Sequence, residues 1–152
     1  MFVQKSENLN YTRTTSGAVM LDNTLSKVML VTSLKFPGLW VLPKGGVEEG
    51  LTPEENAKKE YAEEAGVGIQ LHEKIYDEVL HYPATDTHDE KIQREIFYRA
   101  SFLSYVSWEE FELRKRQWFD IDAGLASIMS PEQHEAVKLA KVAALLAEAT
   151  DA

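Results

Sequence analysis

Two short apolar runs near the start of the chain, TTSGAVML (14–21) and KVMLVTS (27–33), stand apart across the polar DNTLS. Runs of that length bounded by turn residues predict strands. LWVLP (39–43) predicts another short strand, which runs into the glycine-containing loop KGGVEEG. A helix opens at TPEE, with Thr52 as N-cap, Pro53 at the first helical position and Glu55 closing a capping box. It extends to about Ala65 and stops at Gly66, a residue suited to the left-handed C-terminal position. Further strands are expected at EKIYDEVLHY (73–82) and REIFYRASFL (94–103), with the polar DTHDEKIQ (86–93) as the loop between them. RQWFDI (116–121) predicts one more strand, and DAGLASIM (122–129) and PEQHEAVKLAKVAALLAEA (131–149) predict helices. The last is amphipathic, with Val137, Leu139, Ala140, Ala144 and Leu145 as core contacts. This order predicts an α/β fold of the α+β kind, a mixed sheet packed between helices in an α/β/α sandwich. No repeat or linker interrupts it, so a single domain over residues 1–152 is expected.

Composition narrows the class. No run of about 18 apolar residues is present, so no membrane-spanning helix is expected. The opening MFVQKSENLN lacks the basic-then-apolar layout of a secretory signal, and a cytoplasmic protein is the expectation. The absence of cysteine excludes disulfides, thiolate metal sites and cysteine nucleophiles. A net charge of −9 argues against a nucleic-acid polymer as partner, since that role calls for a basic footprint. It leaves room for an anionic small molecule, because a local basic pocket or a bound cation reverses the potential where it matters. Nothing in the chain fixes an oligomeric state.

The helix carries the first chemical signal. Glu60, Glu63 and Glu64 fall within one turn and face one side. Such like-charge pairs cost an isolated helix a few tenths of a kcal/mol each, so either water screens them or a cation belongs there. Hard divalent cations such as Mg2+, or Mn2+ in its place, take carboxylate and carbonyl oxygens and keep water or phosphate oxygens as well. The Gly45-Gly46 pair lets the backbone come close to a ligand and offers a carbonyl to the metal.

The spacing from Gly45 to Val67 resembles the Nudix box, in which a glycine is followed by a glutamate, then Arg-Glu, Glu-Glu and a closing glycine. In that resemblance Glu60 is the helix glutamate, Glu63 and Glu64 are the metal-binding pair, and Gly66 closes the box. Leu51 stands where the family has its first glutamate, Lys59 where it has arginine, and Tyr61 where it has an aliphatic residue. Lysine keeps the charge of arginine but not its planar fork. The resemblance implies a Nudix fold and Mg2+-dependent hydrolysis of a phosphoanhydride. Glu60 and Glu64 would be metal ligands, Glu63 a ligand or the base, and the Lys44 carbonyl a further ligand. Glu95, beyond the box, is expected as an extra metal ligand or base, or else as a solvent-facing strand residue.

A second stretch, RKRQWFDIDA (114–123), is similar to the RKREWF segment of the diphosphoinositol polyphosphate phosphohydrolases, a Nudix branch that also hydrolyses diadenosine polyphosphates. The lead-in VTSLKFPGLWVLPKGG resembles that branch too, with Ser33 and Lys35 at phosphate-contacting positions and Arg13 and Lys91 near other basic ones. If the segment is extended, Arg114 and Arg116 point to one side and grip one polyphosphate, while Lys115 faces away. The expected phosphate contacts are therefore Arg13, Ser33, Lys35, Lys44, Gly45, Gly46, Lys91, Arg114 and Arg116. Ser130 replaces the branch's last basic position, which leaves a dinucleoside polyphosphate and a diphosphoinositol polyphosphate both open. Trp40 and Trp118 are expected as core or pocket wall, and Tyr82 and Phe36 as residues able to stack an adenine. His72, His81, His88 and His134 have no metal-type spacing.

Overall fold

The computed structural model describes residues 3–6 and 10–151, with side chains through residue 149. Strands β1 (Gln4–Lys5), β2 (Arg13–Met20), β3 (Lys27–Thr32), β4 (Trp40–Val41) and β5 (Lys44–Gly46) precede helix α1 (Pro53–Ala65). Strands β6 (Val67–Tyr82), β7 (Lys91–Tyr105) and β8 (Arg116–Asp120) follow, then a single 3-10 turn (Leu125–Ser127) and helix α2 (Pro131–Asp151). The strands form a five-stranded sheet in the order β1-β6-β7-β2-β5 and a three-stranded sheet in the order β4-β3-β8. β2 runs parallel to β7, and the other strand pairs are antiparallel.

The continuous apolar character of β2 and β3 has a direct cause: both strands are covered on both faces. Val19, Val28 and Leu30 face a core shared with Ala136, Val137 and Ala140 of α2. Ala18, Met20, Met29 and Val31 face the opposite core, with Tyr61 and Ala65 of α1. Tyr61, the departure from an aliphatic residue, is fully buried there. The sandwich is thus as expected, though with two sheets in place of one.

Several boundaries differ from the expectation. β6 starts at Val67, directly after α1, because register shifts between Leu71 and Tyr76 carry the strand past the polar His72-Glu73-Lys74 without breaking it. β7 takes in Lys91–Gln93, which pair with β6, so only residues 83–90 form the polar loop. The first residues of the glycine loop pair with β2 as β5, Ser16 opposite Gly45. The helix expected at 122–129 reduces to the 3-10 turn, since the Ile128 carbonyl accepts from the Trp40 N–H (2.8 Å) instead of continuing a helical ladder. On α2, Val137, Ala140 and Ala144 form the buried stripe, whereas Leu139 and Leu145 fall to either side of it and are exposed. Trp40 packs edge-to-face on Phe119 at 4.8 Å. Trp118 is exposed and lies outside the core. Gln133 of α2 accepts the Leu42 N–H (2.8 Å) and so ties α2 to the strand that leads into β5.

Candidate active site

Helix α1 starts as its sequence dictates. The Thr52 hydroxyl accepts from the Glu55 N–H (3.1 Å) and the Glu55 carboxylate accepts from the Thr52 N–H (3.0 Å), a reciprocal capping box. Asn56, fully buried, donates to the Ser16 hydroxyl (3.0 Å) and to the Gly45 carbonyl (3.1 Å). The Ser16 hydroxyl donates to the Pro53 carbonyl (2.8 Å), so the helix is pinned to β2 and β5 by hydrogen bonds. The Glu60 carboxylate lies against Gly45, where a Cβ would stand 2.3 Å from Glu60 Cδ. Only glycine permits that approach.

Four carboxylates gather at the far end of the helix. Glu64 is buried, with an Arg114 nitrogen 3.5 Å from its Oε1. Burial, then a hydrogen bond shared with Glu60, push the Glu64 carboxyl well above the usual carboxylate range, against the pull of Arg114. Burial likewise raises Glu60, with the Glu63 charge adding to it. Glu63 turns to Lys59 (2.6 Å), and Lys59 also bonds Glu48 (2.8 Å). The lysine at the family's arginine position therefore links the loop to the helix and holds Glu63. Glu110 completes the group, repelling Glu60 and Glu64 while its carboxylate pairs with Arg114 at 2.9 Å. Among the described residues, no three His, Asp or Glu side chains close into a metal-ligand cluster. The donor set nevertheless fits a hard divalent cation, because the half-buried Glu60 and the buried Glu64 bring carboxylate oxygens side by side.

A cleft of about 750 Å³ opens beside Glu64. Arg13, Lys35, Lys44, Lys91 and Arg114 all line it, as do Ser33 and Gly45. Its apolar wall comes from Leu34, Phe36, Leu39 and Met129, and Tyr82 and His88 close another side. The Ser33 hydroxyl accepts the Phe36 N–H (3.0 Å), bracing that loop, and Lys35 sits 5.7 Å from the Phe36 ring. Lys44 pairs with Glu95, which is fully buried and also takes the Tyr82 hydroxyl (3.2 Å) and the Gln93 amide (3.3 Å). Glu95 is thus neither solvent-facing nor unpartnered; it holds the Lys44 ammonium at the cleft. Gly46 is not on the cleft wall but lies beneath the Arg13 guanidinium.

Arg116 does not join the cations of the cleft. The strand β8 begins at Arg116, so Arg114 belongs to the preceding turn and strand alternation does not relate the two. Arg114 donates to the Thr32 carbonyl (2.8 Å) and faces Glu64. Arg116 turns away, stacks at 4.5 Å on Trp108 and 4.8 Å on Tyr105, and donates to the Ala65 carbonyl (2.7 Å). Asn56 and Glu110 carry no chemical signal in the sequence. The first is a polar residue at an interior helix position beside the glycine loop; the second sits in the polar run WEEFE, where nothing sets it apart.

A family model described as NUDIX domain matches residues 11–140. The mitochondrial Nudix hydrolase 16 of Arabidopsis thaliana is 32% identical over 119 residues, covering 73% of this chain and 63% of that protein. The diphosphoinositol polyphosphate phosphohydrolase 3-alpha of Mus musculus is 30% identical over 100 residues, covering 63% of this chain and 56% of its own length. The chain therefore spans less than two thirds of these curated relatives. Among solved structures, a NUDIX hydrolase from Nitrosomonas europaea superposes with a TM-score of 0.69 at 16% identity, over 86% of this chain and 89% of that one. That likeness establishes the fold. Among the described residues no helix is long and apolar enough to cross a membrane.

Proposed function

The chain belongs to the NUDIX domain family, and from that premise we propose that it is a Mg2+-dependent hydrolase that cleaves a phosphoanhydride bond in a dinucleoside polyphosphate. The single observation that carries this reading is the cleft, whose lining brings the buried Glu64 together with five cationic side chains and several apolar ones. Phosphates suit Arg13, Lys35, Lys91 and Arg114, while a nucleobase suits Phe36, Leu34 and Tyr82. Nudix hydrolases generally depend on a divalent metal. Here Glu60 and Glu64 would hold it, with the Lys44 carbonyl as a further ligand, and Mn2+ would serve in its place. Once bound, such an ion neutralises phosphate oxygens and makes water more acidic.

The side chains supply the rest. Arg114, gripped by Glu110 and the Thr32 carbonyl, presents a fixed fork to one phosphate. Lys44, held from below by Glu95, adds a point charge to the next. Water adds to phosphorus as the anhydride P–O bond breaks, and its proton passes to a carboxylate; Glu63 fills this role when it leaves Lys59. A diphosphoinositol polyphosphate is the second reading, favoured by the number of cations in the cleft and by the name of the mouse relative. Against it, Lys44 and Arg114 already have carboxylate partners, so the charge available to so dense an anion is reduced.

The test is product analysis with diadenosine polyphosphates, nucleoside triphosphates and a diphosphoinositol phosphate, with Mg2+ and with chelator. Mg2+-dependent cleavage confined to adenine-bearing substrates supports the first reading, and cleavage of the inositol compound alone supports the second. Tight binding of these ligands without cleavage under any divalent metal would replace both with a sensor that binds and does not hydrolyse.

A further inference from the structure

The glutamates of α1 sit at the electrostatically wrong end of their helix. Carboxylates are disfavoured near a helix C-terminus, where the macrodipole is negative, and the last turn of α1 contains no basic residue of its own. The final carbonyls of a helix also lack intrahelical donors. In this molecule one distant segment answers each of these needs. The Ala62 carbonyl takes the Gly66 N–H (2.9 Å), and those of the next four residues are all taken from residues 106–116. The Glu110 N–H donates to the Glu63 carbonyl (3.0 Å), and the Trp108 indole N–H donates to the Glu64 carbonyl (2.8 Å). Arg116 donates to the Ala65 carbonyl (2.7 Å), and the Val106 N–H to the Gly66 carbonyl (3.0 Å). Arg116 is itself fixed twice, by stacking on Trp108 and Tyr105 and by its place at the start of β8 opposite Val31.

We propose that Trp108 and Arg116 are positioning residues, a clamp that holds the last turn of α1 and with it the carboxylates of Glu63 and Glu64 in the geometry the cleft requires. Neither side chain lines the cleft. Both act through backbone carbonyls of the residues that carry the chemistry, and Arg116 also brings the positive charge that the helix end lacks. An effect on turnover presupposes the hydrolase reading above; effects on metal affinity and on amide exchange do not.

The test uses the whole chain carrying Trp108→Phe, which keeps an aromatic ring for Arg116 to stack on and removes the indole N–H together with part of the ring system. Arg116→Met and Arg116→Lys accompany it. Three quantities are measured: the affinity for Mn2+ alone, amide exchange by residue, and kcat and KM on whichever substrate the parent cleaves. Trp108→Phe is expected to weaken Mn2+ binding by about fivefold and to speed exchange at residues 64–66 by a similar factor, as for one lost hydrogen bond. It should lower kcat by about tenfold with KM changed less than about twofold, as misplacement of catalytic groups does. Arg116→Met should do the same, with Arg116→Lys intermediate. A lower melting temperature, or faster exchange throughout β6 and β7, with Mn2+ affinity and kcat unchanged would overturn the proposal and leave the two residues as ordinary structural supports. If the parent cleaves nothing, the hydrolase reading fails while Mn2+ affinity and helix-end exchange still decide the clamp.

Discussion

The two ends of α1 are closed in opposite ways. At the N-terminus, Thr52 and Glu55 satisfy each other within one turn, and Glu54 and Glu55 lie where the helix dipole favours negative charge. At the C-terminus, the closing groups come from Val106, Trp108, Glu110 and Arg116, all beyond β7. The first end closes its cap locally, with Ser16 and Asn56 adding ties to β2 and β5, and the second is completed only by tertiary structure. The carboxylates proposed to hold the metal sit at the second. Local closure supplies stability that is indifferent to function, whereas remote closure ties carboxylate geometry to the state of the surrounding fold.

The largest break in this comparison is expected from Glu64→Gln. Turnover should fall by about a hundredfold or more, because the proposed metal ligand loses its carboxylate. The melting temperature should stay level or rise, since burial already disfavours the charge. A thermal melt beside a steady-state assay reads both, and unaltered turnover would remove Glu64 from the metal. Next is Gly66→Ala. Gly66 has φ 67°, and a Cβ there would stand 2.6 Å from Trp108 Cβ. The left-handed backbone alone costs roughly 1–2 kcal/mol, and pressure on Trp108 should lower turnover together with stability. A loss of stability with full turnover would show that the far end tolerates displacement.

Thr52→Ala sharpens the contrast from the other side. It should cost about 1 kcal/mol of unfolding free energy in a denaturant titration, with kcat and KM unchanged; a drop in kcat would mean that the two ends are coupled after all. Smallest is Leu51→Glu, which restores the family's first glutamate. Leu51 is only half-buried, in the turn before the cap. The change should move stability by less than about 0.5 kcal/mol and leave turnover level or slightly raised. A large loss in either measurement would place Leu51 in a packing role.

The same contrast explains what the sequence disclosed. The capping box, Gly66 and the apolar strands are written in neighbouring residues, and the structure agrees with them closely. So are the spacing of the glutamates and most of the basic residues that meet in the cleft. What escaped depends on where a distant element begins. Arg114 and Arg116 are identical residues two positions apart, yet one faces the cleft and the other leaves it, because β8 starts only at Arg116. Leu139 and Leu145 have the composition of core residues but sit beside the stripe that α2 presents to the sheets. Glu95 reads as an extra metal ligand or base, or as a solvent-facing strand residue, and its pairing with Lys44 appears only once another strand is brought to it. Glu110 belongs to the site only because its loop folds back onto α1.

The parallel pairing of β2 with β7 sets Arg13 opposite Gln93 and Met20 opposite Ala100. The centre of the larger sheet thus closes a loop that contains β3, β4, β5, α1 and β6. Contacts so distant along the chain are slow to form, because the entropy of the loop is lost before the pairing offsets it. During synthesis α1 emerges long before Trp108 and Arg116 do, so its capped beginning can be helical while its end still frays. Closure of α1's far end is therefore expected late in folding. A chain arrested before β8 would carry every glutamate of the box and still lack the Arg116 that caps the Ala65 carbonyl.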